Sequence, residues 1–178
     1  MFGWLFGKKR SAAGNATETR ELFSLSRTVS APPDRAFAVF TDQIAEWWPR
    51  DYTWAKDNLD TIVIEAHMRG RCFERSKDGG VAVWGTVLAC DRPNHLVFAW
   101  QIRPDRSPEP EEGAASRVDI RMVPVEGGKT EVVLVHRDFP RHGDGWEKYK
   151  SQMAGKEAWP RLLDLYKATA DKFGASPS

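Results

Sequence analysis

The sequence predicts an α+β domain in which one long C-terminal helix packs across a curved antiparallel sheet of about six to seven strands. Strand-like runs of alternating apolar residues fill the middle of the chain, and two short helix-like segments follow the first run. The last third carries large apolar residues at helical spacing. A helix with that much aromatic surface needs a broad apolar partner, which the strands can supply.

The length of 178 residues fits one domain with its own core. We expect this domain to span residues 21–173, with disordered tails at 1–20 and 174–178. Lys and Arg number 26 against 25 Asp and Glu, so the net charge is only +1 and no nucleic-acid partner is expected. Cys72 and Cys90 have neither CxxC nor zinc-type spacing, which indicates free thiols in a reducing compartment.

The N-terminus places Phe2, Trp4 and Phe6 before its basic residues, the reverse of a secretory signal. The apolar stretch is also far shorter than the roughly 20 residues that span a bilayer. We therefore expect a cytoplasmic protein, without membrane contact through these three aromatic residues.

The first strand is predicted at 21–30, where apolar and polar residues mix, and Ala31-Pro32-Pro33-Asp34 ends it. Proline at a helix start, followed by an amphipathic pattern to Phe40, predicts a short helix. A second helical turn is predicted at 44–48, because Pro49 follows it.

Four further strands are predicted at 61–65, 71–75, 81–90 and 95–103, separated by turn residues. In the last of them alternation places four apolar side chains on one face: Leu96, Phe98, Trp100 and Ile102. The segment 104–113 is rich in proline and acid, which predicts an exposed loop.

Two more strands complete the predicted sheet on either side of a turn at Gly127-Gly128. Each has one apolar face, formed by Val118, Ile120 and Met122 in the first and by Val132, Leu134 and His136 in the second.

The C-terminal helix is predicted in two pieces, at 145–154 and 157–173, because Gly155 and Pro160 interrupt the pattern. The main piece has five residues on its expected buried face: Trp159, Leu163, Tyr166, Ala170 and Phe173. The break between the pieces is expected to form a polar opening beside an aromatic wall.

Motifs for known chemistry are largely missing from the sequence. Gly128-Lys129-Thr130 is similar to the end of a phosphate-binding loop, but Val123 stands where that loop needs glycine. The sequence has no dinucleotide fingerprint and no G-x-S-x-G elbow. Its four histidines lack metal-ligand spacing, so neither a metal nor a cofactor is expected.

The order of the predicted elements is accompanied by several local motifs: Trp47-Trp48-Pro49, Gly70-Arg71-x-Phe73-Glu74-Arg75, Trp84-Gly85-x-Val87 and Phe98-x-Trp100. Together they resemble the SRPBCC (START-like, helix-grip) superfamily over about residues 20–173, in particular the branch named after the activator of a heat-shock chaperone ATPase. The resemblance implies a sheet wrapped around the last helix, with a cavity between them that related domains use for lipids, polyketides or other apolar molecules.

We therefore predict a non-catalytic domain that binds a small apolar or amphipathic molecule. The aromatic surface and the polar groups able to face it give ten candidate ligand-binding residues: Glu65, Trp84, Phe98, Trp100, His136, Trp146, Tyr149, Met153, Trp159 and Leu163.

Two other functions are considered. One is a cyclase- or hydrolase-like enzyme with His136 as general base and Glu65 or Tyr149 assisting, although a lone inward histidine is more often a core residue. The other is a co-chaperone-like module that binds a protein partner through an exposed patch of Trp47, Trp48 and Trp54. The alternative for these three residues is that they cap the mouth of the cavity.

Overall fold

The computed structural model of the chain describes residues 21–174, in which seven strands form one antiparallel sheet. The predicted tails lie outside these residues, apart from Gly174, and so do Phe2, Trp4 and Phe6. The strands are β1 (Phe23–Val29), β2 (Leu59–Ile64), β3 (Arg71–Ser76), β4 (Val81–Asp91), β5 (His95–Trp100), β6 (Ser116–Val125) and β7 (Lys129–Arg137).

Four α-helices lie within the described residues: α1 (Pro33–Thr41), α2 (Ile44–Trp47), α3 (Trp146–Ala154) and α4 (Trp159–Gly174). This confirms the two short helices after the first strand and the break in the C-terminal helix. Pro33 and Pro160 both stand in the first turn of a helix, where the missing N–H has no intrahelical partner to lose. No helix in this part of the chain is long and apolar enough to cross a membrane.

The order of the strands is β1-β7-β6-β5-β4-β3-β2, so the first strand pairs with the last one. Phe23 lies opposite His136 and Val29 opposite Thr130 in that pair. The register shifts at three places, in the β2–β3, β3–β4 and β4–β5 pairs. Such bulges bend a strand and increase its twist, which lets the sheet curve around α4.

The inner face of the sheet carries the predicted apolar rows of β5, β6 and β7, with His136 at the end of the last row. Ile102 lies beyond the end of β5 and forms a single bridge with Pro108. The loop at 104–113 is not fully exposed as predicted, since Glu109 is only 8% exposed. It folds back because Glu109 pairs with Arg103 and the Gln101 amide donates to the Glu109 carbonyl.

Helix α4 buries Trp159, Leu162, Leu163, Tyr166 and Ala170 against the sheet and α1. The prediction that Phe173 belongs to this face is wrong, because its side chain is 41% exposed. Its ring lies 5.9 Å from the guanidinium carbon of Arg35, at the last turn of the helix, outside the core.

Candidate functional site

A pocket of about 340 Å³ lies between the sheet, the segment 48–56 that follows α2, and the junction of α3 with α4. The sheet contributes Ile62, Glu74, Trp84 and Trp100, and the helix junction contributes Met153, Glu157, Ala158 and Leu162. The pocket therefore lies on the inner side of the sheet, where the α3–α4 break was predicted to form an opening.

Tryptophan rings form much of the pocket wall. Trp48 stacks on Trp84 with 5.6 Å between ring centroids and 20° between their planes. Trp100 lies 6.2 Å from Trp84 at a steep angle, and Trp54 lines the pocket from the segment 48–56. Such walls offer large, flat apolar surfaces with few rotatable bonds.

A β-bulge places Trp84 at the pocket. Cys72 lies opposite Gly85 and Phe73 opposite Val83, so Trp84 is the extra residue of β4 at this point. A Cβ atom on Gly85 would lie only 2.7 Å from the Ala99 carbonyl oxygen. Glycine thus permits close approach of the neighbouring strand, while the bulged residue directs its indole inward.

The indole N–H of Trp84 has no hydrogen-bond partner, although the side chain is only 3% exposed. Two other indoles of the pocket wall have partners, because Trp100 donates to the Tyr149 hydroxyl at 2.8 Å and Trp54 to the Arg106 carbonyl at 2.7 Å. An unpaired buried donor costs about 1–3 kcal/mol. The nitrogen itself is enclosed by protein, so Trp84 presents its ring and not its N–H to the pocket.

Glu74 brings a carboxylate to the same pocket and is only 4% exposed. Its oxygens accept the backbone N–H groups of Trp54 at 3.0 Å and Ala55 at 2.6 Å. These bonds hold the segment 48–56 over the sheet. A carboxylate offers about four acceptor positions, so further donors can be accommodated.

The pocket rim carries both signs of charge. Asp51, Lys56, Arg106 and Glu157 are all exposed lining residues, two acidic and two basic. Tyr52 links the rim to the helices, because its hydroxyl accepts from Arg161 at 2.8 Å and donates to the Glu157 carbonyl. The rim as a whole does not select strongly for an anion or a cation.

Three of the predicted site residues line this pocket: Trp84, Trp100 and Met153. Others form a layer behind it, with Phe98 against Trp84 at 5.8 Å and Trp159 against Trp100 at 5.3 Å. Tyr149 belongs to this layer, since it orients Trp100. Leu163, in the core, and Trp146, packed at its edge, are not lining residues.

Glu65 does not serve as the polar anchor, because it forms an ion pair with Arg71 at 3.1 Å outside the pocket. Glu74 takes that place and was missed as a site residue. The inward position of Glu74 is indicated by its partner in β2, because Ile62 lies directly opposite Glu74 and belongs to the core. Directly opposed residues share a face, but the sequence does not give the register.

His136 lies behind the pocket wall, fully buried, in a chain of hydrogen bonds. The Trp159 indole can only donate, so it donates to His136 Nδ1 at 3.1 Å. His136 then carries its proton on Nε2 and donates to the Ser116 hydroxyl at 2.8 Å. That hydroxyl in turn donates to His142 Nε2 at 2.8 Å.

Burial holds both histidines neutral. It lowers the pKa of His136 well below its ordinary value, with a smaller contribution from nearby His142. It also lowers the pKa of His142 to about 4, against the opposing charge of Glu109. With both ring nitrogens of His136 engaged, the structure gives it the role of a core residue.

The three tryptophans of the predicted protein-binding patch do not form one surface. Trp47 is 4% exposed and donates its indole N–H to the Val39 carbonyl at 2.9 Å, which corrects its placement in an exposed patch. Trp48 and Trp54 are half-buried and line the pocket. In residues 21–174, no group of His, Cys, Asp and Glu is arranged to hold a metal ion.

Comparison with protein families gives a match to the model described as "Activator of Hsp90 ATPase homolog 1-like protein" over residues 30–171. The sequence has no match among curated proteins.

Several solved structures share the fold. An anthrahydroquino-gamma-pyrone synthase, Txn09, solved in a complex, is 29% identical with a TM-score of 0.59, covering 84% of this chain and 97% of its own. The self-sacrificing resistance protein CalC from Micromonospora echinospora is 23% identical with a TM-score of 0.60, covering 89% and 99%. An Hsp90 activator from Plasmodium falciparum is 14% identical with a TM-score of 0.51, covering 82% and 94%.

Proposed function

The chain belongs to the family of activator of Hsp90 ATPase homolog 1-like proteins, and from this and its pocket we propose that it binds a small apolar or amphipathic molecule without transforming it. The observation that carries the proposal is the tryptophan-walled pocket of about 340 Å³ between the sheet and α4. Its volume falls within the ~300–1,000 Å³ of small-molecule sites, and its few polar groups stand among apolar walls.

The relatives support a small molecule as the ligand. The 29% identical structure is that of an anthrahydroquino-gamma-pyrone synthase in a complex. We do not extend its synthase activity to this chain through His136, because that histidine does not line the pocket and both its ring nitrogens are engaged. Binding requires only the walls and the polar groups that are present.

A protein partner such as a chaperone is a weaker proposal. It has the family name in its favour, but Trp48 and Trp54 turn to the pocket and Trp47 to the core. We also propose that the protein is cytoplasmic, and the free thiols of Cys72 and Cys90 support this location.

Native mass spectrometry of the freshly purified protein tests the proposal. We expect an additional small-molecule mass on the wild type. Replacing Ala158, a lining residue, by Trp should remove that mass by filling the pocket. The matched Ala45→Trp substitution, at an exposed position on α2, should retain it.

The proposal fails if wild type and Ala158→Trp carry the same masses and also bind 1-anilinonaphthalene-8-sulfonate equally well. That result would mean that the pocket takes up no apolar molecule.

A further inference from the structure

The charge carried by the pocket lining indicates which kind of molecule it binds. We propose that the ligand is an amphipathic organic cation, in which an apolar body carries an alkylated ammonium group that lies between the tryptophan rings and the Glu74 carboxylate. The inference rests on the proposed function and adds the chemical class of the ligand to it. It depends on an uncompensated buried charge, a balanced rim and aromatic walls, all at one pocket.

Glu74 is a buried carboxylate without a positively charged partner. It is 4% exposed, and its oxygens accept the backbone N–H groups of Trp54 and Ala55, which favours the ionised form. Among residues 21–174 no basic side chain forms an ion pair with Glu74, whereas Glu65 and Glu109 each pair with an arginine. A buried charge is costly unless it is paired. A cation in the pocket supplies the missing charge.

The exposed rim adds no net charge of its own. Asp51 and Glu157 are offset by Lys56 and Arg106, and all four side chains are exposed to solvent, which screens them. The lining as a whole therefore has one negative charge in excess, and the buried carboxylate is the one that is least screened. Charge attraction in a buried site acts over several ångströms, so Glu74 stabilises an ammonium group without giving up either backbone hydrogen bond.

The tryptophan rings are suited to the other side of the cation. Four of them line the pocket: Trp48, Trp54, Trp84 and Trp100. A cation within about 6 Å of a ring centroid is attracted to the ring face, and tryptophan attracts it most strongly. Trp48 and Trp84 lie at 20° to one another, whereas Trp100 crosses Trp84 at 62°, so the ring planes differ in direction. Alkyl groups on the nitrogen add apolar contact and weaken the strong hydration of a bare ammonium.

The volume of the pocket limits the size of the apolar body. An apolar cavity of about 150 Å³ holds one benzene molecule. The pocket of about 340 Å³ therefore has room for one aromatic ring together with a trimethylammonium group. Apolar side chains of Ile62, Met153 and Leu162 complete the lining for such a body. The class of ligand is thus an arylalkyl ammonium ion of about this size.

Isothermal titration calorimetry at neutral pH with three probes of similar shape tests the inference. The probes are (4-hydroxybenzyl)trimethylammonium, its neutral isostere 4-neopentylphenol, in which carbon replaces the charged nitrogen, and the anion 4-hydroxybenzylsulfonate. Hydrophobicity alone favours the neutral probe, because it loses no ionic hydration on binding. We expect instead that the wild type binds the cation about three- to tenfold more tightly than the neutral probe, and the anion most weakly.

The Glu74→Gln variant removes the buried charge and keeps the size of the side chain. It should abolish the preference for the cation over the neutral isostere. Asp51→Asn is the matched control, since it removes an exposed carboxylate from the same lining, and it should retain the preference. Because the comparison of probes on the wild type needs no variant, the inference remains testable even if Glu74→Gln folds poorly.

A wild type that binds the neutral isostere or the anion at least as tightly as the cation would overturn the inference while leaving the proposed function intact. So would a preference for the cation that survives in Glu74→Gln, or one that is lost equally in Asp51→Asn. Failure of all three probes to bind would overturn the ligand class. The proposed function is judged separately, by the co-purified mass and its loss in Ala158→Trp.

Discussion

At the scale of single residues, His136 and His142 make the stability of the protein depend on pH. Burial lowers the pKa of His142 from 6.5 to about 4 in the folded protein. In the unfolded chain the same ring takes up a proton as the pH falls through about 6.5. Between these values the unfolded state binds more protons, so the free energy of unfolding decreases as the pH falls from about 6.5 to 4.

The pKa of His136, lowered mainly by burial, extends the loss of stability to lower pH. Urea unfolding at pH 7, 6, 5 and 4 measures this trend. His142→Gln retains an acceptor for Ser116 but does not titrate, so its trend should be shallower. The exposed His67→Gln serves as control. A wild type and a His142→Gln variant with identical slopes would show that His142 does not carry the effect.

Tyr149 acts as both acceptor and donor, since it receives the Trp100 indole N–H and donates to the Ile102 carbonyl, both at 2.8 Å. Burial raises its pKa to about 12, so the hydroxyl keeps its proton at neutral pH. Tyr149→Phe leaves the buried indole N–H unpaired and should lower the free energy of unfolding by about 1–3 kcal/mol.

A double-mutant cycle with Trp100→Phe separates this bond from general packing. In the Trp100→Phe background the same Tyr149→Phe change should cost less, because no orphan N–H remains. Additive effects in urea unfolding would contradict the assignment of the cost to this bond.

At the scale of elements, the bulge in β4 depends on Gly85. A methyl group there would meet the Ala99 backbone oxygen at 2.7 Å and Cys72 Cβ at 3.1 Å. Gly85→Ala should therefore lower the free energy of unfolding by about 1–3 kcal/mol. Gly113→Ala is the matched control, since nothing lies within 4 Å of its added carbon. Equal midpoints for the two variants would show that the strands separate freely at the bulge.

The same bulge is a feature that the sequence pattern could not predict, although the pattern predicted much of the fold. Alternation identified the inner rows of β5, β6 and β7, and prolines marked the starts of α1 and α4. Periodicity carries no information about an extra residue in one strand, so Trp84 was identified as aromatic wall but not as an unpaired donor. In β3, Cys72, Phe73 and Glu74 are all buried. Such a strand has no alternation of apolar and polar residues, so its sequence does not show that Glu74 points inward.

The whole molecule is tied together by one set of contacting rings. Trp47, Trp48 and Trp100 connect α2, the pocket and β5, and Trp159 and Tyr166 join them to α4. The sheet is equally continuous, because β1 pairs with β7 and needs the far end of the chain to be in place. Loss of order in one layer should therefore disrupt the packing of the other.

We therefore expect residues 21–174 to unfold in one cooperative transition. Tryptophan fluorescence reports mainly on the ring contacts, whereas far-UV circular dichroism reports on the sheet and helices. Their urea midpoints should coincide, as in two-state domains of about this size. A fluorescence change at urea concentrations well below the circular dichroism midpoint would show that α4 and its rings detach from the sheet first. Helix α4 and the sheet would then unfold as separate units.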